Sequence, residues 1–142
     1  MVQGDPLKRS HKPISAERGA VAVEFALVAP ILISLVLGIV EFSNFYNMQI
    51  SVTQAAREGA RTMAVKNDQA LAKAAAKAGA PGIAPAGFNV SSANPTPFAF
   101  STPACTAGAT MKVIVTYQGQ ALTGLFGSSF KVKGEGAMQC GG

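Results

Sequence analysis

The sequence predicts an α+β protein: a long N-terminal transmembrane helix that continues into an amphipathic helix and packs on a small antiparallel β-sheet. Three stretches carry this reading. "ERGAVAVEFALVAPILISLVLGIVEF", Glu17 to Phe42, is apolar over a membrane-spanning length. From Val52 to Met63 the apolar residues recur at helical spacing. "TMKVIVTYQG", from Thr110, alternates strictly, as a half-buried strand does.

The composition supports a membrane protein. The 142 residues suffice for one membrane segment and a small domain. Only 13% are charged, about half the usual share in soluble domains. The net charge of +5 includes Lys8, Arg9, Lys12 and Arg18 ahead of the apolar run, with the remaining cations beyond Phe45. Nowhere do dense cations alternate with stacking aromatics, and Trp is absent. The expected partners therefore include no nucleic acid. A secretory signal would end in a small-x-small cleavage site, whereas this run ends "GIVEFSNFYNMQI". The segment stays in the protein as an anchor in the lipid bilayer.

The uncharged core of the anchor, Phe25 to Val40, spans about 24 Å as a helix, against about 30 Å of hydrocarbon. Ala20–Val23 and Phe42–Tyr46 extend it, and Phe42, Phe45 and Tyr46 suit an interfacial aromatic belt. With Ile33 at the midplane, Glu24 lies about 13 Å to one side and Glu41 about 12 Å to the other. Either acid can be a plain interfacial residue, where a charge costs far less than at the centre. The cation bias places the N-terminus in the cytoplasm and everything after Tyr46 on the exported side. Ala22, Ala26, Pro30, Ser34 and Gly38 recur at every fourth position. They form a small-residue stripe on which another helix can pack closely. Pro30 cannot donate to the Ala26 carbonyl, which predicts a bend or a local opening there.

On the exported side Val52, Ala55, Ala56, Gly59, Ala60 and Met63 form the inner face of the continuing helix, with Gln54, Arg57, Glu58 and Arg61 opposite. "NDQALAKAAAKAGAPG" predicts a second helix, capped by Asn67 or Asp68 and stopped by Gly79 and Pro81. Its apolar stripe is read as Leu71, Ala74, Ala75 and Ala78. The Pro/Gly/Ser-rich stretch from Ala80 to Thr106 predicts loop, with one short strand at "FNVSS". Two longer strands follow. In "TMKVIVTYQG" Met111, Val113, Val115 and Tyr117 share a face; in "SFKVKGEGAMQC" Phe130 and Val132 oppose Lys131 and Lys133. "QALTGLFGSS" links them as an apolar hairpin loop.

The residues also limit the chemistry. The single histidine, His11, precedes the membrane segment, so no histidine-based triad or metal site can form on the exported side. The acids beyond the anchor, Glu58, Asp68 and Glu135, show no spacing that names a catalytic pair. "KGEGAMQCGG" opens like a nucleotide loop, but Gln139 stands where the last glycine is needed. The reading is a protein with no enzyme activity, no metal and no cofactor. Cys105 and Cys140 either pair or remain as buried thiols, and their even number on the oxidising side favours a bridge.

"RGAVAVEFALVAPILISLVLGIVEF", followed by "QAAREGARTMAV", resembles the TadE-like family of tight-adherence (Flp) pilus-assembly pseudopilins. The likeness resumes more loosely at "VIVTYQGQALTGLFGSSFKVKGEGAMQ", while "MQCGG" departs from the charged tail that is usual in the family. The resemblance implies a pilin-like fold and a minor component of a type IVb pilus assembly system in the inner membrane. It implies a prepilin processing site in which Gly19 precedes the cut, Ala20 becomes the new N-terminus, and Glu24 and Phe25 follow. The chain would then divide into a cleaved cytoplasmic leader (1–19), a transmembrane and amphipathic helix (20–66) and an exported domain (67–142). Its partners would be a prepilin peptidase, other pilin-like subunits and the assembly machinery. Glu24 and the Ala22–Gly38 stripe would make the assembly contact. The rival reading is an uncleaved single-pass protein with an exported binding domain.

Overall fold

The structure is a computed structural model describing residues 14–124 and 127–141, with side chains from Gly19 onward. The leader residues before Ile14, including His11, lie outside the described residues, as do Leu125 and Phe126 of the hairpin loop. The order is α1 (Ile14–Lys66), α2 (Gln69–Ala78), a 3₁₀ turn (Pro85–Phe88), β1 (Phe98–Phe100), β2 (Thr110–Gln120) and β3 (Ser129–Gln139). The chain forms two units, Met1–Gly38 and Ile39–Gly142. In the first, the described residues are all helical and nearly all exposed. The helical assignment of α1 continues through Pro30.

The second unit is a three-stranded antiparallel sheet in the order β1-β2-β3, with one face covered by α1. The amphipathic reading of α1 holds: Val52, Ala55, Ala56, Ala60 and Met63 are fully buried. They meet Met111, Val113, Val115 and Tyr117 of β2 and Val132 of β3 in one core. Two glycines of β3 set the depth of that contact. A Cβ on Gly134 would lie 2.5 Å from the Val52 carbonyl oxygen, and one on Gly136 would overlap the Ala56 carbonyl. Four residues of helix and two of strand advance by similar lengths, about 6 Å and 6.7 Å. The helix backbone therefore tracks β3 step for step. The pairing register sets Val113 opposite Gly136 and Val115 opposite Gly134, so β2 supplies the bulk and β3 the space.

The helix α2 packs differently from its predicted stripe. Ala72 and Ala76 are buried, whereas Leu71 is 52% exposed and Ala74 and Ala78 face solvent. Backbone proximity is the reason. A Cβ on Gly59 would sit 3.3 Å from Ala76 Cβ and 3.5 Å from the Ala72 carbonyl oxygen. Only the alanine face fits that close approach. Between the two alternatives for its cap, Asp68 is the one used, accepting from the Ala70 and Leu71 amides. Asn67 instead adopts a left-handed conformation at φ 51° and closes α1. Its side-chain oxygen accepts from the Cys105 amide.

The strand expected at "FNVSS" is absent among the described residues. Phe88 ends the 3₁₀ turn and is buried between Tyr117 and Phe98, while Val90 beyond it is 75% exposed. The short strand lies later, in β1, whose flanking prolines Pro97 and Pro103 make the region read as loop. Proline is tolerated beside an edge strand, and β1 pairs on one side only. Asn94 pins the preceding loop to the sheet: buried, it donates from Nδ2 to the carbonyls of Thr116 (3.0 Å) and Gly87 (3.2 Å). Cys105 and Cys140 form a disulfide with Cα atoms 5.6 Å apart, tying the loop after β1 to the end of β3.

Gly136→Val should destabilise the full chain in detergent by about 2–3 kcal/mol, since the helix backbone has no room to yield. Gly38→Ala, where an added Cβ meets nothing within 4 Å, should be neutral or better by urea unfolding. Reducing the disulfide should cost about 3.5–4 kcal/mol for a closed loop of this length, read as a lower urea midpoint with dithiothreitol than without.

Candidate functional site

The described part of the first unit is defined by what covers none of it. Phe25, Leu27, Ile31, Leu32 and Leu35 are all more than half exposed. Along the single candidate span among the described residues, the most apolar window has no buried residue. A continuous apolar surface of this extent marks a membrane or protein contact. A helix suits hydrocarbon because its backbone bonds are internal. Ser34 Oγ is likewise satisfied within the helix, donating to the Ile31 carbonyl at 2.8 Å.

The residues predicted for processing and assembly lie on this helix. Ala20, Ala22, Glu24, Phe25, Ala26, Pro30 and Ser34 are exposed and Gly38 is half-buried. Glu24 has no ion-pair partner among the described residues, where Lys112 and Glu135 make the ion pair, at 3.7 Å. At Gly19 an added Cβ would meet nothing within 4 Å. This contrasts with Gly59, Gly134 and Gly136, each explained by a neighbour.

Residues 19–61 match the family model of TadE-like protein. The match falls on the stretch that carries the resemblance and covers less than a third of the 142 residues. Comparison with curated proteins and with solved structures gave no significant match. The TadE-like segment thus includes the whole apolar run and the first part of the buried face of α1, through Ala60.

A second acid of the TadE-like segment has a role that its sequence position hid. Glu41 is 8% exposed and accepts hydrogen bonds from the turn between β2 and β3. The Leu122 amide lies 3.0 and 3.1 Å from its two carboxylate oxygens. The Thr123 amide and hydroxyl donate to Oε2 at 3.2 and 3.3 Å. Successive amides turned on one carboxylate form an anion-binding concavity, and hydrogen bonds to a charged acceptor are the stronger kind. The Glu41 side chain therefore faces its own domain. The signal was available in the spacing, since Glu41, Phe45, Met48 and Val52 repeat at three and four residues. Phe45 meets Phe130 edge-on at 5.3 Å, and Met48 packs against the core.

Elsewhere, no cluster of three or more potential metal ligands occurs among the described residues. A cleft of about 690 Å³ between the 3₁₀ turn and the β2–β3 hairpin is lined by Met48, Tyr117, Gln118 and other uncharged residues.

The Glu41 clasp makes a local prediction. Glu41→Ala should accelerate hydrogen exchange at the Leu122 and Thr123 amides by about 10–100-fold, the equivalent of one charge-assisted hydrogen bond. Glu41→Gln, which keeps one acceptor oxygen, should fall between. Unchanged exchange in both variants would contradict the clasp.

Proposed function

We propose that the protein is a minor pilin-like component of a tight-adherence pilus assembly system, anchored in the inner membrane by α1 with its N-terminus in the cytoplasm. A prepilin peptidase removes the leader after Gly19, and the mature protein helps to assemble or prime the filament without catalysing a reaction. The observation that carries this is Gly19 itself. Glycine inside a helix costs about 1 kcal/mol relative to alanine, and the chain around Gly19 would accept a side chain. Folding does not ask for glycine there. A peptidase that must approach the backbone does.

Glu24 fits the same scheme. Cleavage would create an ammonium on Ala20, and the acid four residues on lies in the first turns of the new helix, where the dipole favours negative charge. The amine of a neighbouring subunit is the partner that would pair with it near hydrocarbon, where opposite charges attract more than in water. Helices packed along Ala22, Ala26, Pro30, Ser34 and Gly38 would then be held in one axial register.

Gly19→Leu should block leader removal, read as the intact mass of the membrane-extracted protein. Glu24→Ala should be cleaved normally yet lose crosslinks to pilin-like partners. A native protein that retains residues 1–19 would instead favour an uncleaved single-pass protein. A Glu24→Ala variant that crosslinks and supports piliation would reduce Glu24 to an interfacial acid.

A further inference from the structure

The sheet has two outer strands, β1 and β3, and their edges are finished differently. At β3, Gln49 Nε2 of α1 donates to the Lys133 carbonyl at 2.9 Å, which engages that edge in part. β1 is left open among the described residues. The Thr116 amide donates to the Pro97 carbonyl (2.8 Å) and the Ser101 amide to the Lys112 carbonyl (2.9 Å). Hydrogen bonding alternates along an antiparallel ladder. Ala99 therefore turns its amide and carbonyl toward β2, while Phe98 and Phe100 turn theirs away from it.

Two ammonium groups stand over this strand. Lys77 Nζ lies 5.9 Å from the centre of the Phe98 ring and Lys73 Nζ 5.8 Å from that of Phe100. Both lysines are exposed, and neither has an ion-pair partner among the described residues. Four residues of α2 advance about 6 Å and two of β1 about 6.7 Å, so the lysines follow the strand ring for ring. An ammonium attracted to a ring face is held in place, which removes part of the disorder that weakens an exposed ion pair. A crevice of about 450 Å³ lies at the same place, lined by Lys73, Lys77, Phe88, Pro97 and Phe98 among others. All of these residues belong to the second unit.

We infer that β1 is the docking edge for an extended, acidic segment of another protein, one with acids at alternate positions. Such a segment adds one more strand to the sheet, its main chain bonding to the amides and carbonyls of Phe98 and Phe100. Side chains facing each other across neighbouring strands stand about 4.5–5.5 Å apart at Cβ. Acids two residues apart, on the face shared with Phe98 and Phe100, then lie beside those rings at the pitch of Lys73 and Lys77. Charge complementarity selects the acids, and the free main-chain groups select a polypeptide over other polyanions. A second copy does not fit, because the 7 acids of this chain include no two at alternate positions.

Fluorescence anisotropy with a labelled, blocked peptide of alternating glutamate and valine tests this on the full chain in detergent. The glutamate peptide should bind, and its glutamine analogue should bind far more weakly. Lys73→Gln and Lys77→Gln should each weaken the glutamate peptide by about 2–5-fold, the range of an exposed ion pair. Hydrogen exchange adds a reading that charge alone would not move. Bound peptide should slow the Phe98 and Phe100 amides far more than the Ala99 amide, which the ladder already ties to β2. On the unaltered protein, no binding by the glutamate peptide or equal binding by the glutamine analogue overturns the proposal. Unchanged affinity in both lysine variants does the same, and binding without slower exchange at Phe98 and Phe100 rules out strand addition. Oligoguluronate, an anionic polysaccharide, is the rival probe. If it binds through the two lysines and the peptide does not, the site takes a sugar polymer and the acidic segment is wrong.

Discussion

The second unit depends on how closely the backbone of α1 lies on β3. Gly134 and Gly136 remove the side chains that would hold helix and strand apart, and Val52 and Ala56 place their carbonyls over them. The rest of the core adapts to that distance. Ala55, Ala56 and Ala60 are fully buried in it, and Gly59 repeats the close approach toward Ala72 and Ala76. Alanines bury little apolar area each, so the contact gains from dispersion across closely apposed backbones rather than from large side chains. Besides the side chains of β2, aromatic bulk gathers in two places: Phe88 stacks on Phe98 and meets Tyr117 edge-on at one, and Phe45 meets Phe130 edge-on at the other.

A core of this kind needs help from elsewhere, and the chain supplies it with polar pins. Asn94 holds the long loop to β2, Ser51 donates to the Pro81 carbonyl, and Asn67 takes the Cys105 amide. The disulfide secures the same corner from the far end of the sheet. Each joins segments distant in sequence: the hydrogen bonds hold the loops in the folded state, and the disulfide alone also restricts the unfolded chain.

The two acids flanking the apolar run are treated in opposite ways. Glu41 is enclosed by amides and a hydroxyl of its own chain. Glu24 stands exposed on a helix whose described neighbours offer it no ion pair. An acid satisfied from within contributes to the fold, whereas an exposed one does not owe its place to the packing of its own chain. Glu41 is thus a residue of the second unit's fold, whereas Glu24 is the acid proposed above for assembly, although both sit at similar distances from Ile33 in the sequence.

The sequence by itself determined the elements that periodicity or length can specify. The apolar run, the inner face from Val52 to Met63 and the alternation of Met111 to Tyr117 all repeat with the period of the structure they form. The family likeness also lay in contiguous residues. Tertiary structure decided whatever depends on distance between segments. The face that α2 buries was chosen by the closeness of Gly59, against the larger Leu71. The strand went to "FAF" because Phe98 had Phe88 to stack on and β2 to pair with. Gly134 and Gly136 look like a failed nucleotide loop until a helix backbone is laid over them. At Glu41 the sequence shows an acid at the end of the apolar run but not the turn some 80 residues later in the chain that closes on it, since a helical repeat can name the face of a side chain but not the donors that will meet it.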